Sequence, residues 1–575
     1  MIRLILAVTC LAVAASARSS RDFLNTNKSP SNPHGTSQYP YTYLSVCTNG
    51  TSTDLLEIQY SKKCENGSQI ALGRYTNQVN TTGWGILEIE TFSGFPYDVQ
   101  AYAAGVAEGE LTRLQIYYHY RNTIEELCTN HTLYCKRLYK YLSKNLDWLR
   151  SQVVANDPND PYWRHVNLTF AQITGMYDGY MKRNLTPEIG FDLHPIYMIQ
   201  LSGELFDLNK YLNKTPDPQE YPEAGRCSGF VKFADGNKDL FFSHVAMSSY
   251  STMNRVLKLY KFAYDKAEVP GHTVSFSGYP AALASADDYT LTSAGLASIE
   301  TTIAIFNNTL YTDAFIKPEG QVHCWIRSFL SNALTKTSKD WVNLFAKYNS
   351  GTYNNQWTVV DYKLFKPGQA TPQKDFIWIL EQTPGYTSTR DMTWFMKRFT
   401  YFPSYNIPYL TDVSIVSGFN LKAAQYDWYK WGASPRARIF QRDHNKVQDI
   451  DSLTKLMRYN DYTHDEFAKC KCNPPYTAEA GISARGDLNP VNGTYEVESM
   501  GFRNHGGLDY KGTNYEMFKK LRFRAWGGPP YDPLPPFSWA STNVVSPHFG
   551  QPTVWNFTYI DLEWETEVAV LGFDY

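Results

Sequence analysis

Between residues 45 and 97 apolar and polar positions alternate in short segments such as Leu56-Glu-Ile-Gln-Tyr60 and Gly85-Ile-Leu-Glu-Ile-Glu-Thr-Phe92, with Gly and Asn between them, which predicts β-strands. From 101 to 212 the spacing changes to three and four, as in Leu138-Tyr-Lys-Tyr-Leu-Ser-Lys-Asn-Leu-Asp-Trp-Leu149, which predicts helices. Residues 213–226 carry three prolines and no apolar period, the mark of an exposed connection. A hairpin is expected next, from Cys227-Ser-Gly-Phe-Val-Lys-Phe233 to Phe241-Phe-Ser-His244. With Asp235-Gly236 as a two-residue turn, 234 pairs with 237 and Cys227 stands opposite His244. Ser248 or Ser249 then caps a predicted helix with Tyr250, Met253, Val256, Leu257 and Tyr260 on one face. Strands are expected near 273–276 and 291–305, two helices up to about 348, and strands at 357–364 and 376–380. That order predicts an α+β fold of sheets with helices on their outer faces.

The first 17 residues read as a secretory signal peptide: Arg3, an apolar run from Leu4 to Ala15, and Ala15-Ser-Ala17 as a cleavage site. No later segment approaches the ~18–20 uninterrupted apolar residues of a membrane span. A formal charge of −2 without massed Lys or Arg excludes the electrostatic signature of nucleic-acid binding. Asn-x-Ser/Thr sequons at Asn49, Asn66, Asn80, Asn130, Asn167, Asn184, Asn213, Asn307, Asn492 and Asn556, with a further one at Asn27 followed by Pro30, predict surface positions carrying N-linked glycans.

Beyond the signal peptide eight cysteines remain. Short separations in an oxidising lumen suggest Cys47 with Cys64, Cys128 with Cys135, and Cys470 with Cys472. Cys227 and Cys324 are then left over, either bridged to each other or separate, with Cys324 a buried thiol in a helix-like run. At the start of a strand after an exposed connection, Cys227 reads as a nucleophile, activated by a neighbouring base or by its own α-amine once the chain is cut before it.

Cys227-Ser-Gly-Phe-Val-Lys, His244 with Ser249-Tyr-x-x-Met-x-Arg255, Ala284-Ser-Ala-Asp-Asp-Tyr, Leu296-Ala-Ser-Ile-Glu-Thr-Thr302 and Asn349-Ser-Gly-Thr-Tyr-Asn-Asn-Gln-Trp357 resemble the phospholipase B-like family. So do Ser404-Tyr-Asn-Ile-Pro408, Ser434-Pro-Arg-Ala437, Met457-Arg-Tyr-Asn-Asp461, Asp487-Leu-Asn-Pro490 and His505-Gly-Gly507. The resemblance implies an N-terminal nucleophile hydrolase, an αββα sandwich of two stacked antiparallel sheets between helices, lysosomal or secreted, with no cofactor and no metal. It implies cleavage between Arg226 and Cys227, giving fragments 18–226 and 227–575 of one domain. By similarity His244 lies beside the nucleophile, Thr302 and Met247 line the pocket, Asn406 donates to an oxyanion, and Arg436 positions thiol or substrate. Asn354 and Asn355 are expected to bond backbone. Where many relatives have Trp this chain has Met247, and their Cys-x-x-Cys is shortened here to Cys470-Lys-Cys472, which leaves that pair open to other partners. The implied substrate is a phospholipid acyl ester, with acyl amides such as N-acyl lipids, or binding of lipid without turnover, as alternatives.

Other chemistries have less in the sequence. No Gly-x-Ser-x-Gly elbow occurs, which speaks against a serine lipase. His464, Cys470 and Cys472 have zinc-like spacing but no evident fourth ligand. Arg485-Gly-Asp487 matches a cell-adhesion tripeptide, too short a match to carry a function.

Overall fold

The computed structural model describes residues 39–157, 159–215, 227–284 and 289–573. The signal peptide, Asn27, Arg226 and most of the connection before Cys227 lie outside the described residues. No helix among the described residues is long and apolar enough to cross a membrane.

The alternating N-terminal segments form β1 (Thr42–Asn49), β2 (Ser52–Gln59), β3 (Gln69–Gln78) and β4 (Trp84–Thr91). The cysteine hairpin is β5 (Cys227–Phe233) and β6 (Leu240–Ser248). After it come β7 (Arg255–Lys261), β8 (Thr273–Gly278), β9 (Tyr289–Thr292), β10 (Leu296–Thr302), β11 (Asn355–Asp361), β12 (Ile377–Thr383), β13 (Tyr386–Asp391) and β14 (Tyr401–Ser404). Near the C-terminus lie β15 (Gly506–Gly507), β16 (Asp509–Thr513) and β17 (Arg524–Gly527).

These strands build two large sheets, so the protein is α+β. One runs β13-β12-β11-β10-β9-β8-β7-β4-β3-β1-β2. Its neighbours are antiparallel except at β4 and β7, where the chain returns in parallel after the helical segment. The other runs β14-β5-β6-β16-β17 and ends on Ile560–Asp561, with β15 also on β6.

Helices cover one face of the large sheet. Tyr97–Leu111 packs on β3 and against Pro161–Met181, and the two helices approach at glycines. A Cβ at Gly105 would stand 1.9 Å from the Gln172 carbonyl oxygen, and one at Gly175 would stand 2.0 Å from that of Tyr102. Backbone therefore lies on backbone, closer than any side chain allows, and Ala103, Ala104, Val106, Phe170 and Ile173 fill the surrounding core.

The opposite face of the large sheet meets the second sheet, where β10 lies against β5. A Cβ at Gly229 would fall 2.7 Å from Ile299 Cδ1, so the glycine sets how closely the sheets come. The far side of the second sheet is covered by the helix Ile450–Met457, whose Thr454 hydroxyl donates to Tyr510 of β16 at 3.1 Å.

Two expectations are corrected. The hairpin turn spans six residues, not two: Gly236 and Asn237 both take positive φ, and Ala234 N–H donates to Asp239 O. The register moves by two, so that Cys227 pairs with Ala246 and His244 with Gly229. A shift of two preserves the face on which every side chain lies. The helix expected from Tyr250 is a single 3-10 turn, Tyr250–Thr252, followed by β7. Ser249 does cap that turn. The apolar spacing imitated a helix because β7 is buried on both faces.

Candidate active site

Cys227 begins β5 and His244 lies on β6 one step along the same face, while Glu300 reaches them from β10 of the facing sheet. One sulfur, one ring nitrogen and one carboxylate oxygen of these three buried residues lie within 4.8 Å of one another. That spacing and donor set would also suit a metal ion.

The thiol of Cys227 donates to Glu300 Oε1 at 3.7 Å, and the hydroxyl of Tyr353 donates to the same oxygen at 2.7 Å. His244 Nε2 stands 2.9 Å from the backbone oxygen of Glu300. A carbonyl only accepts, so this nitrogen carries a proton and the imidazole ties the two sheets together.

The backbone of Cys227 is held by the loop after β14 and by the helix Pro435–Asp443. Its N–H donates to Asn406 Oδ1 at 3.4 Å. Arg436 donates through Nη1 to Cys227 O at 2.6 Å and Ser228 Oγ at 3.1 Å, and through Nη2 to Tyr405 O at 2.9 Å and Asn406 Oδ1 at 2.8 Å. Burial pushes the guanidinium down to about 10, against the nearby Glu479 and Cys227, which leaves it cationic at neutral and acid pH. Asn406 has φ 68°, a left-handed conformation that asparagine tolerates better than most residues. Its N–H donates to Thr301 Oγ1 at 3.2 Å and its Nδ2 to Thr302 O at 2.9 Å, so the second Nδ2 hydrogen is not needed by Thr302.

Thr302, Asn406 and Arg436 line a recess of about 460 Å³, counted to its open mouth, with Tyr405, Phe419, Trp428 and Tyr429 in its walls. Cys227, His244 and Met247 are not among its lining residues; the recess meets Cys227 through Asn406 and Arg436, which bond its backbone. On β6 Met247 points away from the thiol, where Sδ accepts the N–H of Ala484 at 3.3 Å. The structure thus brings Cys227, His244, Thr302, Asn406 and Arg436 together and leaves Met247 behind the sheet.

Glu300 and Tyr353 do not stand out from sequence, although both lie in strings that carry the family resemblance. The available signal is a carboxylate inside a strand pattern, at the same parity as Thr302. Asn354 and Asn355 bond backbone as expected, to Gly351 O and Tyr353 O.

The three disulfides pair Cys47 with Cys64, Cys128 with Cys135 and Cys470 with Cys472. The last pairing removes both thiols of the zinc alternative with His464. Cys227 and Cys324 are outside these bridges, both buried. Arg485 and Asp487 are buried against each other at 2.8 Å and are not displayed for adhesion. Of the ten sequon asparagines from Asn49 on, Asn167 and Asn307 are half-buried and the others exposed.

A family model described as Phospholipase B matches residues 71–562. A Caenorhabditis elegans protein named phospholipase B-like 3 is 70% identical over 557 residues, 96% of each chain. Phospholipase B-like 2 of Homo sapiens is 40% identical over 511 residues, 86% of each chain. Phospholipase B-like protein B of Dictyostelium discoideum is 34% identical over 512 residues, again 86% of each.

Proposed function

The chain belongs to the phospholipase B-like family, and we propose that it is an N-terminal nucleophile hydrolase of αββα architecture that cuts its own chain before Cys227 and then hydrolyses acyl esters of phospholipids, in the lysosome or outside the cell. One observation carries the reading: the nitrogen, the carbonyl and the thiol of the same residue are each held, by Asn406, Arg436 and Glu300. A structural cysteine needs only its side chain packed. A nucleophile that is also to become a chain terminus needs all three fixed.

After the cut, the α-amine of Cys227, with an ordinary pKa of ~7.7–8, takes the thiol proton. The thiolate adds to the carbonyl carbon of the substrate, and the second N–H of the Asn406 amide donates to the oxyanion, an interaction commonly worth ~3–4 kcal/mol. Collapse expels the alcohol with the amine's proton and leaves a thioester on Cys227, which water hydrolyses. Arg436 makes its contacts to protein and so acts as a positioning residue for the nucleophile's backbone. The aromatic walls beside it support an acyl chain as the bound group. The same steps would open a fatty amide.

The test begins with purified protein incubated at acid pH beside a Cys227→Ala control, followed by intact mass and N-terminal sequencing. A new terminus at Cys227, absent from the control, is expected. The cut protein is then given a diacylphosphatidylcholine and an N-acylethanolamine, and a burst of one acyl group per chain is measured. A cut protein that takes an acyl group from neither would be a lipid-binding protein without turnover.

A further inference from the structure

Self-cleavage, the reading on which this inference rests, leaves one step without a base. In the uncut chain the nitrogen of Cys227 is a peptide N–H donating to Asn406 Oδ1, and a peptide nitrogen has no basic lone pair with which to take the thiol proton. The α-amine that serves in the mature protein does not yet exist. We propose that Glu300 is the catalytic base of the cut.

The geometry has three parts. Glu300 Oε1 is the acceptor of the Cys227 thiol, at 3.7 Å, a normal separation for a hydrogen bond from sulfur. Tyr353 donates to that same oxygen at 2.7 Å, a bond that favours the carboxylate over the acid. The peptide oxygen of Glu300 is bound to His244 Nε2 at 2.9 Å, which fixes the strand that carries the carboxylate. His244 is the rival base: Nε2 donates to a carbonyl, which leaves the lone pair of neutral imidazole on Nδ1, and the His244→Asn variant below decides between the two. The side chain seen accepting from the sulfur is Glu300.

In the step itself the S–H bond breaks and its proton passes to the Glu300 carboxylate. The thiolate forms a C–S bond to the carbonyl carbon of residue 226, whose C=O electrons move to oxygen. When the oxyanion collapses, the C–N bond to Cys227 breaks and Glu300 returns the proton to the departing nitrogen. The products are a thioester and a free α-amine. Water then hydrolyses the thioester to the carboxylate of residue 226 and the thiol of Cys227, with Glu300 restored. Thereafter the α-amine is the nearer base, so Glu300 is required for maturation and not as base in turnover.

The experiment follows cutting of the full chain by intact mass for wild type, Glu300→Gln, His244→Asn and Cys227→Ala, with thermal unfolding as the control for folding. Glu300→Gln is expected to slow cutting at least 100-fold, as loss of a general base commonly does, with an unfolding midpoint close to that of Cys227→Ala. To separate a lost base from a damaged site, Glu223→Ile and Ala224→Glu are added, which places the factor Xa sequence Ile-Glu-Gly-Arg directly before Cys227. Glu300→Gln protein cut by factor Xa should then be alkylated at Cys227 by iodoacetamide within a few-fold of the wild-type rate. Cutting of Glu300→Gln at the wild-type rate, or loss of cutting in His244→Asn alone, would overturn the proposal. If wild type remains uncut under all conditions, the self-cleavage reading fails and this inference falls with it. An uncut Glu300→Gln beside a cut wild type, but without restored alkylation after factor Xa, would make Glu300 structural and also overturn it.

Discussion

The contact between Gly229 and Ile299 can be tested by a cycle of two small substitutions, Gly229→Ala and Ile299→Val. A Cβ on residue 229 would sit 2.7 Å from Ile299 Cδ1 and 3.3 Å from Ser404 Cβ, and Ile299 is 1% exposed, with little room to turn aside. Overpacking of this kind costs about 1–3 kcal/mol, offset by up to about 1 kcal/mol because alanine restricts the unfolded chain. Ile299→Val removes Cδ1 itself and alone costs about 0.5–1.5 kcal/mol. Together the two should cost at least about 1 kcal/mol less than their sum, since each removes the other's fault. Chemical unfolding of the four proteins in a Cys227→Ala background, where no chain is cut, measures the cycle. In the Cys227 background Gly229→Ala should also slow self-cleavage by holding the thiol away from Glu300, and Ile299→Val should restore part of the rate. Additivity within about 0.5 kcal/mol would refute the claim that this glycine sets the approach of the two sheets.

Asn406 does two separable things. Asn406→Gly keeps the left-handed conformation but removes the amide and its bonds to Cys227, Arg436 and Thr302, so acyl transfer should drop about 100- to 1,000-fold, and Asn406→Ala, which loses the same bonds and adds backbone strain, should unfold at a lower midpoint than Asn406→Gly. Arg436→Lys replaces a planar fork that reaches four acceptors by a single ammonium and should reduce self-cleavage at least tenfold, read by intact mass. Gly105→Ala drives a methyl into backbone, not into a mobile side chain, and is expected to destabilise by about 3 kcal/mol or to prevent folding, seen as loss of secreted protein. Burial raises the Glu204 carboxyl from 4.5 to about 7, so stability from its retained proton is fully present below pH 4.5 and is lost as pH rises through about 7. Glu204→Gln, which needs no proton, should therefore gain stability relative to wild type between pH 5 and pH 7.5, by up to about 3 kcal/mol, read as the difference between the two unfolding curves at each pH.

Most of the elements are legible in the sequence because the period of the apolar residues separates strand from helix where one face is solvated, as for Thr132–Asn156, or where polar residues alternate within a buried strand, as Glu88 and Glu90 do in β4. It fails where a strand buried on both faces lacks that alternation. The stretch from Tyr250 to Tyr260 has helical spacing by accident, and nothing local tells a buried strand from a buried helix. The hairpin arms are readable but their register is not, because Asp235-Gly236-Asn237 contains a second residue that accepts positive φ and so opens a wider turn. Cys227 stands out through its neighbours, the connection before it and the strand after it. Its carboxylate partner does not, since Glu300 is distant in the chain and becomes a neighbour only when β10 crosses β5. The glycines of the two packed helices are equally silent, for their meaning lies in which backbone stands opposite.

The buried carboxyls respond to pH in two different ways. Glu204 accepts from Thr352 and the N–H of Trp325 and feels the Arg327 cation, but burial prevails over all three and the acid form is favoured below about pH 7. For Glu479 burial pulls in the same direction, but Arg503 at 2.6 Å and His505 at 3.1 Å outweigh it and bring the carboxyl down to about 2. Its contribution is therefore present above pH 4.5 and lost only as pH falls through about 2. Acidification to about pH 5 protonates the first kind of carboxyl and leaves the second ionised, while His119, His165, His194 and His323, held down to about 3 to 4 by burial, stay neutral in the fold and oppose the gain in stability as the unfolded chain takes up their protons. The second kind is the one whose charge is felt at Arg436, and through Arg436 at the backbone of Cys227.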